Sequence, residues 1–128
     1  MPMSKKRCYL AGGIFGLADR GQTWREEAIA MTPPGWLFIN PNTVEIDQIE
    51  PRDLINIDLA TILTCQAVLA RVSHPSWGTA MEIFFACSHH VPVIAWDIPE
   101  PCSPWLLGHT ACQWTSLKNA MGDLNNHV

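Results

Sequence analysis

One carboxylate stands apart from its surroundings. Glu82 is the sole acid in Trp77-Gly-Thr-Ala-Met-Glu-Ile-Phe-Phe-Ala-Cys87, a run otherwise apolar or small at every position. A buried carboxylate without a partner is costly, so it calls for either a partner or a task. About one turn inside a helix, the dipole favours its ionised form while burial raises its pKa. A carboxylate in that position suits a nucleophile or a general base. The alternative is a structural acid that caps its own helix or pairs with an arginine.

A second acid, Asp58, lies among apolar neighbours in Asp53-Leu-Ile-Asn-Ile-Asp58-Leu-Ala-Thr-Ile. Five residues apart, Asp53 and Asp58 do not share one helix face. Asp53 falls in a first turn, where an acid favours the helix dipole; Asp58 either turns toward the interior or is a solvated helix acid. Gly12-Gly13 lets a backbone come close to a ligand, or simply turns the chain. The pair fits neither a dinucleotide fingerprint nor a triphosphate loop. Ser76, Gly78 and Thr79 open the apolar run, and their hydroxyl and N–H groups suit a phosphate or sugar oxygen as well as an ordinary helix cap. His74, Cys87, His89 and His90 do not have zinc-like spacing, and no metal is expected. Trp24, Trp77 and Trp105 fall near loops where an indole could stack on a base.

Strand and helix must alternate to position these groups. Arg7 to Ala11 reads as a buried strand ended by the two glycines, and Gln22 to Met31 as a helix with Trp24, Ala28 and Met31 inward. Pro33-Pro34-Gly35 stops it, and Trp36 to Ile39 forms a second strand. Pro51 suits the first turn of a helix that carries Leu54, Ile55, Ile57, Leu59, Ile62 and Leu63 at 3-to-4 spacing. Ala67 to Val72 is a third strand, Trp77 to His89 a helix and Val91 to Trp96 a fourth strand. A Pro-rich loop follows, with a fifth strand near Ala111 to Trp114 and a helix from Thr115 to about Met121. Apolar strands alternating with helices predict a doubly wound parallel α/β sheet of four to five strands, covered on both faces. Its ligand crevice lies beyond the carboxyl ends of the strands, in the loops 12–21, 40–50, 73–78 and 97–108.

Composition narrows the function classes. The 128 residues fit one domain, 1–128, with 48% hydrophobic and 16% charged residues. Eight Lys+Arg stand against twelve Asp+Glu, for a net charge of −4. That balance argues against polymeric nucleic acid or an anionic membrane as partner. The chain has no apolar run of about 18 residues that would span a bilayer. The basic start, Met-Pro-Met-Ser-Lys-Lys-Arg, is followed by too short an apolar stretch for a signal peptide. Five cysteines without a C-x-x-C pair predict free thiols in a reducing cytoplasm.

Three stretches together, Tyr9-Leu-Ala-Gly-Gly-Ile-Phe15, Asp53-Leu…Asp58-Leu, and Ser76-Trp-Gly-Thr-Ala-Met-Glu-Ile-Phe-Phe-Ala86 before Pro92-Val-Ile, resemble the nucleoside 2-deoxyribosyltransferase family. The match spans about residues 8 to 96 in the right order, and its most specific part is the G-T-A-M-E-I stretch. The resemblance implies a flavodoxin-like fold, a homodimer or higher homo-oligomer in which a neighbouring subunit completes the site, and no cofactor. It implies cleavage of the N-glycosidic bond of a 2′-deoxynucleoside and transfer of the sugar to another nucleobase. Carried over by position, Glu82 matches the nucleophile that takes the sugar, Asp58 the acid beside the sugar and the leaving base, and Tyr9 a residue that orients the nucleophile. Gly12, Gly13, Phe15, Ser76, Gly78 and Thr79 fall in the stretches expected to contact substrate.

The loop Val72-Ser-His-Pro-Ser-Trp77 departs from the family pattern, where acids often stand. Its P-S-x-G looks more like the related 2′-deoxynucleoside 5′-monophosphate N-hydrolases, in which the serine helps bind phosphate and water accepts the sugar. Gly13-Ile14-Phe15, in turn, lacks the arginine of the hydrolase loop, and Arg20 lies further along. A non-catalytic nucleotide-binding module is the third reading, against which the joint presence of Tyr9, Asp58 and Glu82 speaks.

Overall fold

A computed structural model describes residues 4–43 and 45–128. Met1–Met3, part of the start read as too short for a signal peptide, and Val44, in the 40–50 loop, lie outside the described residues. Five strands, β1 (Lys6–Ala11), β2 (Trp36–Ile39), β3 (Ala67–Arg71), β4 (Val93–Trp96) and β5 (Cys112–Trp114), alternate with α1 (Gln22–Ala30), α2 (Pro51–Leu63), α3 (Trp77–Ser88), α4 (Pro104–Gly108) and α5 (Leu117–Gly122). The sheet is parallel throughout in the order β2-β1-β3-β4-β5. This is the doubly wound α/β sheet that the alternation of elements predicts. The Pro-rich segment departs from the expected plain loop, because Pro104 at a first-turn position and the Ser103 cap start the short helix α4 there.

Alternation along β1 decides which side chain meets which layer. Cys8 and Leu10 point into a core shared with α1 and α5, through Trp24, Ala28, Leu117 and Met121. Tyr9 and Ala11 point the other way, into a core with Ile62 of α2 and Ile83 and Ala86 of α3. β3 repeats the pattern, with Ala67 and Leu69 on the first face and Val68 and Ala70 on the second. Leu10, Leu69 and Ile94 are completely buried, each stabilising the fold by about 1.5–3 kcal/mol.

The order places β1 between β2 and β3, so the chain leaves β1 to one side and returns on the other. Connections diverge at the carboxyl ends of β1 and β3, and a crevice opens there. The helices beside it bury less than their composition suggests. On α2 only Ile62 is fully buried, while Ile55, Ile57 and Leu63 face outward, as do Trp77, Met81 and Phe84 on α3. Met31, expected inward, is likewise exposed.

Candidate active site

A cleft of about 240 Å³ lies at this divergence, lined by residues from β1, the loop after it, α1, the segment between β2 and α2, α2 itself and the start of α3. Its walls are largely apolar: Ile14, Phe15, Ile46, Leu54, Leu59 and Met81. Four groups that carry or share charge sit among them, Tyr9, Arg25, Asp58 and Glu82. Tyr9 reaches the cleft because its position in β1 points it to the α2–α3 face. Glu82 reaches it from the second turn of α3. The two meet directly, the Tyr9 hydroxyl donating a hydrogen bond to Glu82 Oε2.

Burial governs the charges. It pushes Glu82 up to about 7; the Tyr9 hydrogen bond works against the rise, Asp58 adds to it, and Arg25 opposes it. Burial likewise raises Asp58 to about 6, with the Arg25 charge pulling the other way. Tyr9 is pushed far above its ordinary value, first by burial and then by the Glu82 and Asp58 charges, so it stays a neutral donor. Two carboxylates with raised and neighbouring pKa values in an apolar cleft can hold a single proton between them near neutral pH.

Arg25 is the residue that sequence reasoning missed. It is completely buried, and its guanidinium spends its donors on backbone: Nε to Leu10 O at 3.3 Å, Nη1 to Gly21 O at 2.9 Å and Nη2 to Gly12 O at 2.9 Å. It thus ties the end of β1 to the start of α1 and holds a fixed positive charge near Glu82 and Asp58. A signal was present: Arg25 stands next to Trp24 and three residues before Ala28, on the face those two bury. Gly21 is needed for this arrangement. Its φ of 72° is left-handed, and an added Cβ would lie 2.5 Å from Arg25 Nη1.

The other expected site residues divide. Gly12, Phe15, Ser76, Gly78 and Thr79 line the cleft. Gly13 instead borders a separate hollow of about 110 Å³ with Leu17, Asp19, Trp24, Arg71 and His74. The Ser76 side chain caps α3, accepting from the Thr79 amide at 3.3 Å and the Thr79 hydroxyl at 3.0 Å. Arg20 pairs with Asp47 at 2.9 Å and lies over the Phe15 ring. Trp24 is a core residue, 5.6 Å from Trp96 in an edge-on pair, whereas Trp77 and Trp105 are open to solvent. His74, Cys87, His89 and His90 join no group of three metal ligands among the described residues. No described helix is long and apolar enough to cross a membrane, and all five cysteines are free thiols.

No family model matches the sequence, and no curated protein does either. Solved structures match it along nearly its whole length. A conserved protein from Enterococcus faecalis V583 superposes with a TM-score of 0.79 at 16% identity, covering 98% of this chain and 100% of that one. A 2-desoxiribosyltransferase from Leishmania mexicana gives 0.76 at 16%, covering 96% and 99%. A 2-deoxyribosyltransferase from Bacillus psychrosaccharolyticus gives 0.71 at 15%, covering 95% and 92%. The chain therefore has the fold of these proteins. Two of them are deoxyribosyltransferases, the family that the sequence stretches resemble.

Proposed function

We propose that the protein is a nucleoside 2-deoxyribosyltransferase-type enzyme. The observation that carries this reading is the Tyr9–Glu82 hydrogen bond in a cleft that also holds Asp58, on the fold of two deoxyribosyltransferases. Glu82 attacks the anomeric carbon of a 2′-deoxynucleoside as the bond to the base breaks, and Asp58 gives the departing base nitrogen a proton. A deoxyribosyl ester on Glu82 results. In the second half, the acceptor base attacks the same carbon, the ester bond breaks, Glu82 is released as carboxylate and the acceptor's proton passes to Asp58. The transition state resembles an oxocarbenium ion, which a carboxylate beneath the anomeric carbon stabilises before capturing it, as in retaining glycosidases. The apolar cleft wall keeps water from the ester and offers faces for a flat base.

Tyr9 holds Glu82 in position, and the fixed charge of Arg25 favours its ionised form. Exposed Ile55, Ile57, Met81 and Phe84 on neighbouring helices support a homo-oligomer, because a patch of that kind marks an association surface. A fully active monomer in sedimentation would refute it.

A second reading, hydrolysis of 2′-deoxynucleoside 5′-monophosphates, draws on Ser76 at the cleft. The cap that Ser76 makes to Thr79 and the pairing of Arg20 with Asp47 favour the transferase. The test is chromatography of the purified protein with 2′-deoxynucleosides and a free acceptor base, beside 2′-deoxynucleoside 5′-monophosphates without acceptor. A new nucleoside supports the transferase. Free base from the monophosphates alone, with affinity lost in Ser76→Ala, supports the hydrolase. Tight binding without base release in either set returns the protein to a binding module.

A further inference from the structure

On the α1–α5 face, opposite the cleft, three side chains converge on one point. Cys112 in β5, Asp123 just after α5 and His127 near the end of the chain place Sγ, a carboxylate oxygen and a ring nitrogen within 4.8 Å of one another. They form the one group of three possible metal ligands among the described residues. Asp123 Oδ2 lies 3.0 Å from Cys112 Sγ and 2.9 Å from His127 Nε2. The sulfur distance is short for this protein, whose other thiol hydrogen bonds with oxygen run from 3.3 to 4.0 Å.

We propose that Cys112, Asp123 and His127 form a binding site for a zinc-class divalent cation. A thiolate, a carboxylate and a neutral imidazole are the ligand types zinc takes. Two negative ligands and one neutral one balance a dication, which suits side chains that are only partly exposed. Tetrahedral zinc sets such ligand atoms roughly 3.3–3.5 Å apart, so the two distances from Asp123 Oδ2 must open by about half an ångström. Binding releases the thiol proton to solvent, the imidazole proton moves from Nε2 to Nδ1, and Cys112 Sγ, Asp123 Oδ2 and His127 Nε2 each form one bond to the metal. The fourth position is left to water.

A supporting shell is already in place. Trp114 Nε1 donates to Asp123 Oδ2 at 3.1 Å and Asn126 Nδ2 to Asp123 Oδ1 at 2.8 Å. Donors of this kind orient a ligating carboxylate and are worth roughly tenfold or more in affinity. A metal here ties β5 to the segment after α5 and takes no part in the chemistry of the cleft.

The test is a cobalt(II) titration of the full-length apo protein, read by absorbance, with zinc as competitor. One equivalent of cobalt should produce a thiolate-to-cobalt charge-transfer band that zinc abolishes. The band should vanish in Cys112→Ser, and His127→Ala should bind at least tenfold more weakly, with circular dichroism checking that each variant is folded. Zinc should also raise the Tm of the wild type and not that of Cys112→Ser. If the wild type gives no band, or if the band persists unchanged in both variants, the site does not exist. Neither readout depends on enzymatic activity.

Discussion

The Tyr9 hydroxyl donates to Glu82 Oε2 across 73 residues of sequence, from the interior strand β1 to the second turn of α3. The contact exists because alternation in β1 sends Tyr9 to the α2–α3 face while Cys8 and Leu10 go to the other. A one-residue slip of β1 would put Cys8 or Leu10 in its place and leave Glu82 without its donor. Register in the sheet, fixed by Tyr9 opposite Ile39 and Val68, is thus a condition of the site.

Tyr9→Phe removes that donor and little volume. A hydrogen bond to a charged group contributes about 1.5–3 kcal/mol, so kcat should fall by about tenfold to a hundredfold with KM nearly unchanged. Because the hydrogen bond lowers the Glu82 pKa, the acid limb of the pH–rate profile should move to higher pH. Steady-state kinetics from pH 5 to 9 would check both, and an unchanged kcat would remove Tyr9 from the mechanism.

Replacing the nucleophile separates activity from stability. Glu82→Ala should lose at least about a thousandfold in rate. Glu82→Gln should be equally inactive and yet more stable than wild type at pH 8. The sign follows from the raised pKa: the folded state binds more protons than the unfolded one between 4.5 and about 7, so stability falls as pH rises through that window. Glutamine removes the cost of a buried charge, giving a gain of about 1–3 kcal/mol at pH 8 that disappears toward pH 4. Urea unfolding at the two pH values measures it.

In the proposed first half-reaction Glu82 must be ionised and Asp58 protonated. With the carboxyls at about 7 and about 6, the singly protonated pair holds its proton mostly on Glu82, and the working form is the minor one, about a tenth of the pair, with the proton on Asp58. Both protons are lost at high pH and both are held at low pH, so kcat/KM should be bell-shaped with its maximum between these values. Asp58→Asn should abolish the alkaline limb. The remaining limb should shift to lower pH, since the Asp58 charge no longer raises Glu82. A variant profile that keeps both limbs would exclude Asp58 as the acid.

Arg25→Met should unfold at lower denaturant, with a loss of about 3 kcal/mol, because the carbonyls of Leu10, Gly12 and Gly21 lose their donors together. Arg25→Lys, which retains the charge without the planar fork, should recover only part of that loss. In folded Arg25→Met protein the acid limb should move up, since Arg25 holds Glu82 down. A purely structural role for Arg25 would leave the limb where it was.

Much of this arrangement was legible in the chain. The second strand, Trp36–Ile39, and the Pro51 start of α2 follow from apolar runs bounded by proline, glycine and asparagine. Glu82 was conspicuous because nothing else in its helix could carry charge. Arg25 was less so: its spacing from Trp24 and Ala28 puts it on the buried face, but a charged residue there has no evident partner until the Leu10, Gly12 and Gly21 carbonyls it serves are placed. Periodicity also cannot say which apolar residues meet the sheet: of the six at 3-to-4 spacing in α2, Ile55, Ile57 and Leu63 face out. Gly13 follows Gly12 in sequence but turns to a different hollow, a distinction only the backbone path makes.

The tryptophans give the molecule an internal optical contrast. Trp24, Trp36 and Trp96 are 3%, 2% and 9% exposed, whereas Trp77 and Trp105 are 86% and 78% exposed, and Trp77 stands in sequence between the cleft-lining Ser76 and Gly78. Buried indoles emit toward the blue and do not feel what enters from solvent, while Trp77 emits toward the red beside the opening. A flat aromatic molecule seated in the cleft would dim the Trp77 share of the red side, leaving the Trp105 share and the blue side as references, so occupancy can be read from unlabelled protein and assigned with Trp77→Phe.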